Sequence, residues 1–140
     1  MVLDTSALAA ILLDEPERAP FIAAIEAADA RRLSAATFVE ISIVIEVKRG
    51  AEGLRDLDQF LKAADVELVS VDDEQAHAAR RAFLQYGKGR HRAGLNFGDC
   101  FAYALARTLD EPLLCKGDDF LHTDVIVWRP EPEHEPGTET

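Results

Sequence analysis

Strand-length apolar segments alternate with helix-period segments along this 140-residue chain, and few folds accept that alternation. Val2-Leu3-Asp4, Leu33-Ser34-Ala35, Val66 to Val71, Leu113-Leu114-Cys115 and Val125-Ile126-Val127 are the strand candidates. Between them lie helical patterns with legible ends. Ser6 is placed to cap a helix through Leu8, Ile11 and Leu12, which Asp14-Glu15-Pro16 breaks. Phe21, Ile22, Ile25 and Ala28 share one face of a second helix. A long helix runs from Phe38 to Lys48 and closes at Gly50, and Leu54, Leu57, Leu61 and Ala64 keep the period of another. Asp72 and Gln75 make a capping box for a helix ending at Gly87. Asn96 to Leu109 is apolar almost all round and reads as a central, buried helix. Parallel strands need a long crossover, and intervening helices supply it while covering both faces of the sheet. The pattern therefore predicts an α/β fold with a mainly parallel sheet of about five strands.

The length supports one domain, which buries roughly 70% of its unfolded surface. Residues 129–140 hold three prolines and four glutamates with almost nothing apolar. They read as a disordered acidic tail after a domain spanning residues 1–128. No apolar run approaches the ~18 residues of a membrane span, and no basic leader precedes the first strand, so a cytoplasmic protein is expected. Cys100 and Cys115 fit no zinc or C-x-x-C spacing and are expected to be buried free thiols. The net charge is −11, and without the tail 22 acids still face 14 bases. Such a balance argues against coating a nucleic acid through bulk charge.

Four carboxylates sit where a solvated helix face does not explain them. Asp4 ends the first strand, where an α/β fold opens its ligand crevice, although a turn or cap would also use an aspartate there. Glu40 follows Thr37 at capping-box spacing, and Asp99 follows Asn96 in the first turn of the apolar helix. Phe97, Cys100, Phe101 and Ala102 around Asp99 suggest burial, which is costly for an unpaired carboxylate. Asp118 and Asp119 follow the Leu113 to Cys115 strand. In a parallel sheet these junctions share one edge. An all-carboxylate cluster there suits Mg²⁺ or Mn²⁺ and lacks the His and Cys that zinc prefers. Sites of that kind hydrolyse phosphodiesters.

With these residues in view, the chain resembles the PIN-domain ribonucleases, specifically the VapC-type toxins of bacterial toxin–antitoxin pairs. The resemblance spans residues 1 to about 128. It rests on Val2-Leu3-Asp4-Thr5-Ser6-Ala7-Leu8, on Glu40, on Tyr86 to His91 leading through Ala93 to Cys100, and on Asp119-Phe120. It implies a PIN-like three-layer α/β/α sandwich and a metal-dependent endoribonuclease with Asp4, Glu40 and Asp99 as its first three acids. The family's usual last motif, T-x-D-x-D-F, is here Cys115-Lys116-Gly117-Asp118-Asp119-Phe120, so the fourth acid is Asp119 or Asp118. Ser6 matches the family serine that hydrogen-bonds within the acidic cluster. The resemblance also implies a small VapB-type antitoxin and a homodimer. An antitoxin helix would lie on an apolar groove, with Ile11, Leu12, Phe21 and Ile25 as its candidates, although the intramolecular core is the first expectation for those side chains.

From Gln75 to Gly98 there is no acid, yet Arg80, Arg81, Lys88, Arg90 and Arg92 lie there with His77 and His91. Arg80 and Arg81 read as a solvated helix face. Lys88, Arg90, His91 and Arg92 lie on a glycine-rich loop leading to Asp99 and are expected to contact RNA phosphates. In the resulting mechanism Asp4 and Asp99 hold the principal Mg²⁺ or Mn²⁺, Glu40 orients the attacking water, and Asp119 completes the cage. Two rivals remain at this level. A receiver-like Mg²⁺-binding module would use strand-end acids and Lys116, but it wants an acidic pair after the first strand. A degenerate PIN domain would bind a partner without catalysis.

Overall fold

The computed structural model describes residues 1–130, so most of the expected tail lies outside the described residues. The chain runs β1 (Val2–Leu3), α1 (Thr5–Leu12), α2 (Arg18–Ala27), β2 (Arg31–Ser34), α3 (Ala35–Ala63), β3 (Val66–Val69), α4 (Asp73–Tyr86), α5 (Phe97–Leu109) and β4 (Leu113–Leu114). A 3₁₀ turn at Asp119–His122 follows. The sheet is parallel throughout, in the order β3-β2-β1-β4, with Val2 beside Arg32 and Leu3 beside Leu114.

Strand alternation divides the core in two. Val2 and Leu113 face a cluster built on α4 and α5 with Ala78, Ala82, Leu95 and Leu105. Leu3 and Leu114 face the opposite cluster, with Leu8, Ile11, Ile41, Ile45 and Leu57 from α1 and α3. All four strand side chains are fully buried. A one-residue slip would exchange the two faces, so the register is firmly specified. The expected three-layer α/β/α architecture is present.

Four details differ from expectation. Among the described residues the sheet has four strands, because Val125-Ile126-Val127 contributes there only a single bridge, Leu113 to Val127, beyond β4. Asp4 rather than Ser6 caps α1, its carboxylate accepting the Ser6 N–H. Helix α3 starts at Ala35 with Ser34 as its cap, so Thr37 and Glu40 form no capping box. Within that span Gly50, at φ 64° and ψ −155°, leaves helical geometry and separates two helical segments, where the sequence closes the first. The fourth is the proposed antitoxin groove: Ile11, Phe21 and Ile25 are core residues. Past the sheet, Trp128 packs edge-on against Phe21, with ring centroids 5.9 Å apart.

The strand order carries the functional consequence. From β1 the chain builds outward through β2 and β3, then returns to place β4 on the other side of β1. Such a reversal opens a crevice at the carboxyl ends of β1 and β4, the two strands that flank it. Asp4 leaves β1 and Cys115 to Asp119 leave β4 at that crevice.

Candidate metal centre

Asp4 is 3% exposed. Its Oδ2 accepts the Ser6 N–H at 3.1 Å and the Ser6 Oγ–H at 2.6 Å. Ser6 Oγ in turn accepts the Lys116 N–H at 2.9 Å, and the Asp4 N–H donates to Leu114 O at 3.0 Å. The first turn of α1 is thereby locked to the segment leaving β4. Burial pushes the Asp4 carboxyl up to about 6; the Ser6 bonds oppose this, and the charges of Asp99 and Glu40 reinforce it.

Glu40 lies in the second turn of α3, where its Oε1 accepts the Thr5 hydroxyl. Its carboxylate lies over Gly98, where any Cβ would overlap Oε2. Asp99 closes a reciprocal capping box with Asn96: Asn96 N–H donates to Asp99 Oδ2 at 3.0 Å, and Asp99 N–H donates to Asn96 Oδ1 at 2.9 Å. Asp99 is partly buried, and its carboxyl is raised by desolvation, lowered by the Asn96 bond, and raised again by Glu40 and Asp119. Phe97, expected to help bury it, instead points outward at 80% exposure. Asp119 opens the exposed 3₁₀ turn after Gly117, which adopts φ 92°. Its charge acts on Asp99 and on Cys115.

Asp4, Glu40, Asp99 and Asp119 therefore come from four separate segments, with the charges of Asp99 and Glu40 acting on Asp4 and those of Glu40 and Asp119 acting on Asp99. Among the described residues, no three His, Cys, Asp or Glu side chains converge closely enough to hold a metal ion as they stand. Asp4, Glu40 and Asp99 each commit one carboxylate oxygen to a protein donor, and no hydrogen bond among the described residues uses the other. The donor set is all oxygen and anionic, which fits a hard divalent cation. No salt bridge among the described residues neutralises any of the four. Lys116 Nζ is engaged by Glu15 at 3.0 Å and Glu17 at 3.3 Å, which removes the lysine a receiver-like site would need.

The two cysteines are buried and free, as expected. Burial raises Cys115 to about 12 and Cys100 to about 11, so neither is a thiolate nucleophile at neutral pH. Beside the acids, the Gly87–Leu95 loop is closed by Lys88 N–H to Leu95 O at 2.9 Å and Leu95 N–H to Tyr86 O at 3.0 Å. Lys88, Arg90 and Arg92 are exposed on it, and none of them is ion-paired among the described residues. His91 is more constrained: its Nδ1 accepts the Ala93 N–H at 3.0 Å, and its ring stands edge-on to Tyr86.

Sequence reasoning missed Thr5 and Gly98. Thr5 sits inside the Asp4-Thr5-Ser6 run, but nothing in one dimension says that its hydroxyl reaches Glu40. Gly98 has a sharper signal, since a glycine in the first turn of a helix is costly unless a close approach requires it.

A PIN-domain family model matches residues 1–126. Ribonuclease VapC30 of Mycobacterium tuberculosis is 55% identical over 127 residues, covering 91% of this chain and 97% of that protein. Ribonuclease VapC of Mycolicibacterium smegmatis is 54% identical over 127 residues, covering 91% and 98%. Among solved structures, Mycobacterium tuberculosis VapC20, described as a sarcin–ricin loop cleaving toxin, aligns with a TM-score of 0.76 at 14% identity. That alignment covers 92% of this chain and 98% of the other. VapBC2 from Rickettsia felis, bound to a promoter DNA fragment, aligns at 0.72 and 11% identity over 91% and 96%. At such identities these structures speak to the fold, while the two sequence relatives speak to the family.

Proposed function

The chain belongs to the PIN-domain family, among the VapC ribonucleases, and we infer from this that it is an endoribonuclease toxin that hydrolyses RNA phosphodiesters with Mg²⁺ or Mn²⁺. The observation that carries the reading is the gathering of four carboxylates without ion-pair partners among the described residues at the crevice between β1 and β4, where Asp99 and Glu40 act on buried Asp4, and Glu40 and Asp119 act on Asp99. Anionic groups taken out of water need a compensating charge, and a divalent cation supplies it.

Asp4 and Asp99 would be the principal residues to hold the cation. Glu40 holds and orients the attacking water. Asp119 completes the cage; it is preferred to Asp118 because its charge acts on Asp99. A cation bound there neutralises charge on the phosphate and makes water a competent nucleophile at neutral pH. Ser6 is a positioning residue, because its hydroxyl is fully used between Asp4 and Lys116. Lys88, Arg90, His91 and Arg92 position the RNA backbone, and the strand reaching the acids is single-stranded or splayed.

The unpaired acids also make a natural target for an arginine-bearing inhibitor, since guanidinium binds carboxylates in a bidentate fork. A small VapB-type antitoxin is the partner expected to use it, and a homodimer is the expected assembly. No helix among the described residues is long and apolar enough to cross a membrane. Calorimetric titration with Mn²⁺ tests the metal assignment. Saturable binding in the wild type and its loss in Asp99→Asn are expected. Unchanged binding in that variant would remove Asp99 from the ligand set.

A further inference from the structure

Phe97 is the most exposed large apolar side chain among the described residues. It occupies the first position of α5, two residues before Asp99, and stacks edge-on against Phe101 at 5.0 Å. With Phe83 and Arg80 from α4, these two rings wall a cavity of about 380 Å³ floored by Ala79 and Cys100. That volume lies within the usual range of small-ligand sites, roughly 300–1,000 Å³. The Arg90 guanidinium lies over the Phe83 ring at 5.5 Å, so one rim joins the basic loop.

Nothing in the acidic cluster needs this surface. An exposed ring in the first helical turn contributes little to the fold, and a solvent-facing pocket walled by phenylalanines exposes apolar area at a cost. We propose that the pocket between α4 and α5 is a stacking subsite that seats an unpaired base of the RNA adjoining the phosphate to be cut, with Phe97 as its principal platform. The subsite rests on the ribonuclease reading above and gives it a position-setting element. Every nucleobase offers a π-face, so aromatic rings flanked by arginines hold single strands without reading sequence. Arg80 and Arg90 at the rim match the phosphates on either side of such a base.

Charge favours RNA over a second copy of the chain. The rim lies in the longest acid-free stretch, residues 75–98. A two-fold interface centred there would set Arg80 and Arg90 against their own equivalents, and like charges in an interface are unfavourable. The same geometry explains how an acidic protein holds a polyanion locally. Aromatic area and a few cations grip the strand beside the metal centre, and the rest of the surface repels it.

The test is binding of short single-stranded RNA in EDTA, where turnover is blocked, followed by steady-state cleavage with Mn²⁺. Phe97→Ala is expected to weaken binding by about tenfold or more, the scale of one base–aromatic stack. The loss should appear in KM, with kcat at saturating RNA within about twofold of wild type. Phe97→Trp should restore binding, while Phe97→Leu, apolar but not aromatic, should not. An abasic nucleotide in the seated position should weaken the wild type and leave Phe97→Ala unaffected. Wild-type affinity in Phe97→Ala, or full rescue by Leu, overturns the subsite and leaves the ribonuclease reading standing. A change of oligomeric state in Phe97→Ala by sedimentation velocity, in step with the affinity loss, also overturns it and makes the surface a protein interface. Failure of the wild type to bind or cleave any RNA overturns both readings.

Discussion

Asp4 shows how one residue serves fold and chemistry together. It caps α1 with a carboxylate that is almost wholly buried, and its pKa of about 6 lies well above the ordinary carboxylate range. The folded state therefore binds this proton more tightly than the unfolded chain does. Above about pH 6 the charged form imposes its full penalty, roughly 3 kcal/mol, and the penalty fades as pH falls toward 4. Asp99, also raised, adds in the same direction. In metal-free buffer, Asp4→Asn should raise the melting temperature at pH 7, because Asn still accepts the Ser6 bonds without the charge. That gain should vanish near pH 4, and Mn²⁺ should stabilise the wild type but not the variant. Thermal melts at the two pH values check both points. Gly98 makes a second prediction. An alanine there overlaps Glu40, whose flexible end can swing aside, so Gly98→Ala should keep its fold while losing about tenfold or more in kcat. At this scale the acids and Ser6 were legible because their residue types are odd for their positions. Thr5 and Phe97 were not, because a hydroxyl's partner and a ring's exposure are three-dimensional facts.

Elements explain why some boundaries were readable and others were not. The Asp72 and Asn96 caps lie where the sequence puts them, since both signals are local; the Asn96–Asp99 box is reciprocal, whereas the expected Asp72–Gln75 box is half made, because the Gln75 side chain donates to Thr108 Oγ1 instead. Helix α3 begins earlier than its pattern suggests because Ser34, the last residue of β2, turns directly into the cap. Thr37 is then buried inside the helix with no partner for its hydroxyl among the described residues, which a capping pattern alone cannot foresee. The fifth strand failed for lack of pairing: Val125 N–H goes to Thr123 Oγ1, and only Val127 bridges to Leu113. Gly50 ends the first of two helical segments where the sequence places the break, because its φ of 64° and ψ of −155° cannot continue a helix, and the second segment starts directly after it. A residue with a Cβ is strained at that φ of 64°, although nothing crowds the site. Gly50→Ala should therefore cost about 1–3 kcal/mol in denaturant unfolding, with cleavage unaffected.

The whole molecule carries a formal charge of −11 and still presents one acid-free basic stretch beside its most acidic point. Net charge first argued against a nucleic-acid partner. Its distribution reverses that for a protein that grips a strand only at the cut. If three or four of Lys88, Arg90, Arg92 and Arg80 meet phosphates, the logarithm of RNA affinity should fall against that of salt with a slope of about −2 to −3. A slope near zero would mean that the loop does not touch the backbone. The α/β class and the edge on which the acids gather followed from strand–helix alternation, because a parallel sheet leaves few places for strand ends. Which strands flank β1, and hence where the crevice opens, required the structure. The most direct measurement is cleavage of defined single-stranded RNAs by purified wild type and Asp99→Asn, with Mg²⁺, with Mn²⁺ and with EDTA. Metal-dependent cutting by the wild type, abolished by EDTA and by at least about 100-fold in the folded variant, is the expected result. Cleavage that persists in EDTA, or at wild-type rate in Asp99→Asn, would contradict a carboxylate metal centre.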